Sequence, residues 1–568
     1  MRFVRILLIL LIRLDVSSMM MQIDETILNR NRLLKRRFKM KRLLSLALVI
    51  VLVLGAFAGC GGGGDDTDAN VDPAEKVLKV RKSRELVSTD YALTTTSDDM
   101  ALLWTHVFQG LYGIDEAGGD YRKELAKEVV ISEDGLEYTI DLVEAKFANG
   151  EDLKASDVKF SYDRAMANSR FNYVTNMIDK VEEVDEDTVK ITLQYPYSPF
   201  IHTLFTVRIC SEKEVTEAGE AFGTVPNKAG TGPYYVDQYD PAGNVVLKAN
   251  ENHYAGAPDI KTVEFVVITD DAAAVIAYEN DEIDFMTNAP TAEWDALVAA
   301  SNGNNAILKG NNIRAFYINQ KSETNNGILQ DENVRKAICY AIDKDAINTV
   351  VAAGLGNPTT EFIPSSYVAT APKEDTFETY PYSPEKAKEM LYAAGFTDAD
   401  IEAGIDVGTI ITYGASTAEK AKAAQVIQSN LKAVGLIAQV DVQDNSIIVP
   451  RLHEFDYDLG IYADSGNYDF NNIRQQIYVD GGYQCIDYSD SDVLDYEWAK
   501  DMLQQAVEIT DTEQRLAIYT ELWKAVMDTA TIYPYINLPV GVVWADDVEP
   551  GDAPFSPTYY HLDTMSWK

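Results

Sequence analysis

The side chains best suited to move a proton near neutral pH, or to hold a transition metal, are the five histidines at 106, 202, 253, 453 and 561. None stands in a His-Glu-x-x-His arrangement or at another spacing that would bring two ring nitrogens onto one ion. A Gly-x-Ser-x-Gly elbow, which would lift a serine nucleophile above a sheet, does not occur. Nor does the Gly-x-x-x-x-Gly-Lys loop that cradles phosphates. With 89 Asp and Glu in the chain, pairs of acids arise from composition alone and single out no glycosidase-like site. Asp66, Asp68 and Asn70 imitate the start of a calcium loop, but Val77 occupies the position that needs a bidentate acid. These patterns predict a chain that binds rather than reacts, without a metal or cofactor.

One covalent chemistry does have the right neighbours. Lys41 and Arg42 precede 16 residues, 43–58, that are apolar except for Ser45 and Gly55; Ala58-Gly59-Cys60 and four glycines follow. A basic start, a short apolar run and small residues at the cut define an export signal. The run is shorter than the roughly 20 residues that span a bilayer. Ala58-Gly59-Cys60 resembles the lipobox of bacterial lipoproteins, which implies cleavage before Cys60 and lipidation of its thiol. Residues 1–59 are therefore set aside as leader, and 60–75, rich in Gly and Asp, as a flexible tether.

The leader holds 11 basic and 3 acidic side chains, leaving 38 and 86 in the remainder, a net charge of −48. Nucleic acid, bound through basic contacts to phosphate, is excluded as a partner. An anionic membrane surface would also repel this chain, so attachment there requires the lipid. Cys210, Cys339 and Cys485 are too few for a disulfide framework, although one bridge and one free thiol would be compatible with an oxidising compartment.

Helix signals are clearest in the middle of the chain. Asp331 is placed to cap a helix carrying Val334, Ile338, Ala341 and Ile342 on one face. Ser383-Pro384 opens a helix that ends at Gly395. Ser416 and Glu419 have capping-box spacing before a helix ending at Gly435, after which Leu436, Ala438, Val440 and Val442 alternate as a strand. Earlier segments, 138–142, 188–193 and 245–247, read as strands between turns. The chain is thus β-rich before about residue 320 and α/β from there to about 530.

Several of these segments together are familiar. Leu125-Ala126, Ser132-Glu133-Asp134-Gly135, Tyr138-Thr139-Ile140-Asp141-Leu142, Phe147-Ala148-Asn149-Gly150-Glu151 and Lys154-Ala155-Ser156-Asp157-Val158 form one block. Gly230-Thr231-Gly232-Pro233-Tyr234 opens a second, and Phe316-Tyr317-Ile318-Asn319 with Val334-Arg335-Lys336-Ala337 a third. In this order they resemble the family 5 extracellular solute-binding proteins that serve ABC importers of peptides and nickel. The motif residues themselves read as structural: Gly230, Gly232 and Pro233 as a turn before a strand, and Asp157 as a helix cap or hydrogen-bond acceptor.

The resemblance implies an α/β, two-lobed periplasmic-binding-protein fold of the class II type, with a hinge between the lobes. Lobe I would span 76–312, with a β-rich subdomain inserted at about 113–225; lobe II would span 313–532, and 533–568 would return to lobe I. It places the ligand site in Tyr462-Ala463-Asp464-Ser465-Gly466-Asn467-Tyr468-Asp469, where peptide-binding relatives offer an aspartate to the ligand's ammonium group. Asp464 is the anchor this implies, with Tyr462, Ser465, Gly466, Asn467 and Asp469 beside it. The implied partners are a peptide or other small solute, permease subunits with their ATPase, and a membrane reached through the lipid anchor on its outer face. The chain would act as a monomer. An oligosaccharide, an opine or a nickel chelate in place of peptide, or a receptor or adhesin built on the same fold, are the alternatives.

Overall fold

The structure, a computed structural model, describes residues 76–568 except Thr95, 115–120, Ser366, Tyr367, 415–418, 466–468, 479–483, 490–491 and 553–558. The leader, Cys60 and the tether lie outside the described residues. Among the described residues no helix is long and apolar enough to cross a membrane.

Strand β1 (Val77–Lys82) leads into helix α1 (Ser97–His106). Then come β2 (Ala126–Ile131), β3 (Glu137–Leu142), β4 (Ile178–Glu183) and β5 (Thr188–Leu193), which form a separate antiparallel sheet in the order β2-β3-β5-β4. In β3, Tyr138, Ile140 and Leu142 are buried while Glu137 and Asp141 face water, the period-two pattern of a sheet with one wet face. The chain then returns with β6 (Tyr234–Tyr239), β7 (Val245–Ala249), β8 (Thr262–Val267) and β9 (Phe285–Ala289). The main sheet is completed by β10 (Asn305–Ile318), β11 (Ile405–Tyr413), β12 (Leu436–Gln443), β13 (Leu459–Ser465) and β14 (Ile532–Trp544). One sheet runs β12-β11-β13-β10-β14-β9-β1-β8-β7-β6, with Asn357-Pro358 as a short eleventh strand against β14.

Gly230 and Gly232, expected only to shape a turn, have a second reason to be glycine. A Cβ on Gly230 would lie 1.9 Å from the Val107 carbonyl oxygen, and one on Gly232 would lie 2.6 Å from that of His106. The segment before β6 is pressed against the end of α1, and no side chain fits between them.

Helices α2 (Glu332–Ala341), α3 (Pro384–Ala393) and α4 (Glu419–Ala433) start and stop for local reasons. The Asp331 carboxylate accepts from Asn333 N–H, and the Ser383 hydroxyl accepts from Lys386 N–H. Gly395 and Gly435 follow their helices with φ of +92° and +88°. Helix α4 links β11 to β12, which pair in parallel, so this part is a βαβ unit. The capping-box residue Ser416 lies outside the described residues.

Burial divides the molecule into two large apolar cores. One gathers residues from Leu78 to Phe285 together with Val507, Val540, Val542, Val548, Tyr560, Leu562 and Met565. The other gathers Ala315 through Ile536. Cys210, Cys339 and Cys485 are buried and unbridged, one of the pairing states left open by the sequence. His106 and Arg208 are among the polar groups sealed into the first core. His106, fully buried, directs Nδ1 at the Ala101 and Leu102 carbonyls and accepts the Leu562 N–H at Nε2. The Arg208 guanidinium lies over the rings of Phe205 and Trp104, with Nη1 3.6 Å from Glu124 Oε2.

Candidate functional site

Among the described residues, β10 and β14 are the strands that run through both halves of the sheet. They pair antiparallel along their length, and the register slips between Lys309 and Asn312. Gly310 sits at the slip: a Cβ there would lie 2.1 Å from the Leu538 carbonyl oxygen. The buried Asn537 side chain donates from Nδ2 to the Gly310 carbonyl, pinning the bulge from the other strand. A bulge bends its strand and breaks the ladder locally. Gly310→Ala is therefore expected to cost about 1–3 kcal/mol through overpacking, read as a lowered urea midpoint. An unchanged midpoint would mean that the two strands separate freely at the slip.

Past the bulge, β10 pairs on its other edge with β13, setting Asn312 against Ser465, Ile313 against Asp464, Arg314 against Ala463 and Ala315 against Tyr462. The expected anchor Asp464 is thus carried on a strand beside the crossing. Gly466 and Asn467 lie outside the described residues, and at Asp464 and Ser465 the description covers the backbone. Tyr462 is buried, its ring 5.8 Å from Tyr413, 5.5 Å from His453 and 6.5 Å from Tyr317. Asp469 is committed elsewhere. Its Oδ2 accepts from Arg515 Nη2 at 2.5 Å, and its Oδ1 accepts from Asn471 N–H at 2.8 Å. Those bonds fix the turn that follows the loop and leave this carboxylate little capacity for a ligand.

Basic residues that sequence reasoning passed over also gather here. Arg314 donates from Nε to Glu419 Oε1 at 2.9 Å, and Lys420 donates to the same oxygen at 3.0 Å. Burial alone would raise the Glu419 carboxyl, but the two cations outweigh it and bring the pKa down to about 2. Lys420 also sits 4.5 Å from the centre of the Tyr413 ring. The one signal in the sequence is a lone charge inside the apolar run Ile313-Arg314-Ala315-Phe316-Tyr317-Ile318.

The two halves meet again away from the crossing strands. Ser198 donates from N–H to Val507 O at 2.6 Å and from Oγ to Ile509 O at 2.5 Å. Asn471 Nδ2 donates to the Tyr197 hydroxyl at 3.2 Å, and Arg474 Nη2 donates to the Tyr173 carbonyl at 2.8 Å. Beside these contacts is a cavity of about 560 Å³ walled by residues of both halves. Among the described residues no group of three or more His, Cys, Asp or Glu is placed to hold a metal ion.

The profile of the bacterial extracellular solute-binding proteins, family 5 Middle, matches residues 120–482. The chain belongs to this family. Within family 5, the glutathione-binding proteins GsiB of Salmonella typhi and Escherichia coli K12 are each 31% identical to it over 345 residues. That match covers 59% of this chain and 64% of theirs, so the chain spans somewhat less than two thirds of the relatives' length. NikA from Brucella suis, solved in complex with Fe(III)-EDTA, superposes with a TM-score of 0.76 at 20% identity, over 87% of this chain and 100% of that one. AppA from Bacillus subtilis, solved with a nonapeptide, gives 0.67 at 20% identity over 87% and 99%. The fold is the two-lobed periplasmic-binding-protein fold, each lobe with its own core.

Proposed function

We propose that this family 5 protein is the extracytoplasmic substrate-binding component of an ABC importer, taking peptides between its lobes and handing them to a permease. The observation that carries this reading is the construction of the crossing: two separate cores share two paired strands, and a pinned bulge lies at their seam. A protein built this way can close on a ligand and open again with few broken contacts. The names of the relatives, a glutathione binder and a nonapeptide complex, favour a peptide as cargo. The lobe boundaries at 312/313 and 532/533, the lipid on Cys60 and a monomeric state belong to the same proposal.

Asp464 is the residue we assign to the ligand's ammonium group. A charge-assisted hydrogen bond is roughly twice as strong as a neutral one, and a buried ammonium needs such a partner. The test is thermal unfolding of the purified protein against peptide, oligosaccharide and metal-chelate libraries. A ligand at 100 times its Kd adds about 2.7 kcal/mol, which is readily seen. Peptides are expected to raise the midpoint, and Asp464→Ala to abolish the rise. A response to sugars or chelates alone would overturn the peptide assignment and Asp464 with it.

A further inference from the structure

The cavity between the lobes has a charge character opposite to that of the molecule. The chain carries 89 acidic against 49 basic side chains, yet none of the residues lining this cavity is Asp or Glu, and two are arginines. Arg170 comes from the first lobe, in the turn Ser169–Phe171, and Arg474 from the second, at the start of the turn Arg474–Ile477. Among the described residues neither guanidinium meets a carboxylate, and Arg474 spends one N–H on the Tyr173 carbonyl. Around them stand neutral groups that can accept or donate, including Asn176, Tyr195, Tyr197 and Gln504.

Two cations on opposite lobes line one cavity, and no carboxylate in its wall balances them. An anion between them is attracted by both, and only when both lobes are in place. A ligand that contacts both lobes favours the closed state by its difference in affinity for the two states.

We propose that this cavity is an anion clamp, in which a carboxylate of the ligand is held between Arg170 and Arg474. The proposal rests on the peptide reading above and narrows it: the cargo presents a free carboxylate to this end of the cleft, so short free-acid peptides are taken and their amides are not. Guanidinium suits the role because its planar fork of donors matches the two oxygens of a carboxylate.

The experiment compares a library of tripeptides as free acids with the same library as C-terminal amides, read as the shift in thermal midpoint of the full chain. It is run on the parent, Arg170→Gln, Arg474→Gln and the double variant, each first shown to have the parent's midpoint without peptide. The expected result is a shift with the acids only, and an affinity loss of about tenfold or more for each arginine removed. Equal shifts with acids and amides, or full binding by the double variant, would overturn the clamp and leave the peptide reading standing. No shift with either library would remove the peptide reading, and the clamp with it.

Discussion

Replacing Glu124 by leucine is expected to destabilise the protein by about 3–5 kcal/mol, because it strands a buried charge. The Arg208 side chain is 2% exposed and that of Glu124 10%, so neither can turn to water. Glu124 also accepts from the Gly110 N–H at 3.0 Å and from Gln109 Nε2 at 3.2 Å, so its loss orphans three donors at once. Arg208 has no reserve partner: among the described residues its Nε and Nη2 meet no acceptor. The aromatic faces of Phe205 and Trp104 hold the cation in place but replace only part of its hydration. Adding Arg208→Met to Glu124→Leu removes both charges and is expected to recover the part of the loss due to the stranded cation, since an apolar pair of similar volume is often as stable as a buried ion pair, while the Gly110 N–H stays without its acceptor. Urea unfolding of the two single variants and the double closes the cycle. A single Glu124→Leu within about 0.5 kcal/mol of the parent, the usual range for exposed sites, would sink the argument.

A second large effect is expected on acidification. Burial pulls the pKa of His106 down to about 4, and the opposing pull of the Asp563 carboxylate does not restore it. The neutral ring is the form the structure is built around, with Nδ1–H given to backbone carbonyls and Nε2 accepting from Leu562. His202 is likewise brought to about 4, first by burial and then by the charges of Arg474 and Arg208. An unfolded histidine titrates near pH 6.5. Between that value and about 4 the unfolded chain therefore binds protons that the native state refuses. Stability is complete above about pH 6.5 and falls as the pH drops toward 4. For the fully buried His106 the loss is on the order of 3 kcal/mol. His106→Gln keeps a hydrogen-bonding side chain without the titration, so its unfolding free energy should vary less between pH 7 and 4.5. If parent and variant show the same slope, His106 is not the source.

Much of the fold could be read from local pattern. The strands at 138–142, 188–193 and 245–247, and the helix opening at Ser383-Pro384, are written in alternation and capping, which act over a few residues. The binding site was harder to read because its pieces are distant in sequence. Arg170 and Arg474 share a cavity only because two lobes face each other, and no window of sequence contains both. Asp469 and Asp464 look alike as acids in one loop. Asp469 is set apart by Arg515, on a later helix, which takes its charge. Family resemblance supplied the expected place of the site, whereas the commitment of Asp469 to Arg515 required the three-dimensional arrangement.

The first core is started by Leu78 and Val80 and finished by Leu562 and Met565. A ribosome releases the whole of the second core before the last of these side chains exists. The lobe begun earliest is thus the last that can be completed, and its strand β9 waits for β14 to take its place beside it. Until those last side chains are made, the first core lacks part of its wall, whereas every side chain of the second is already present.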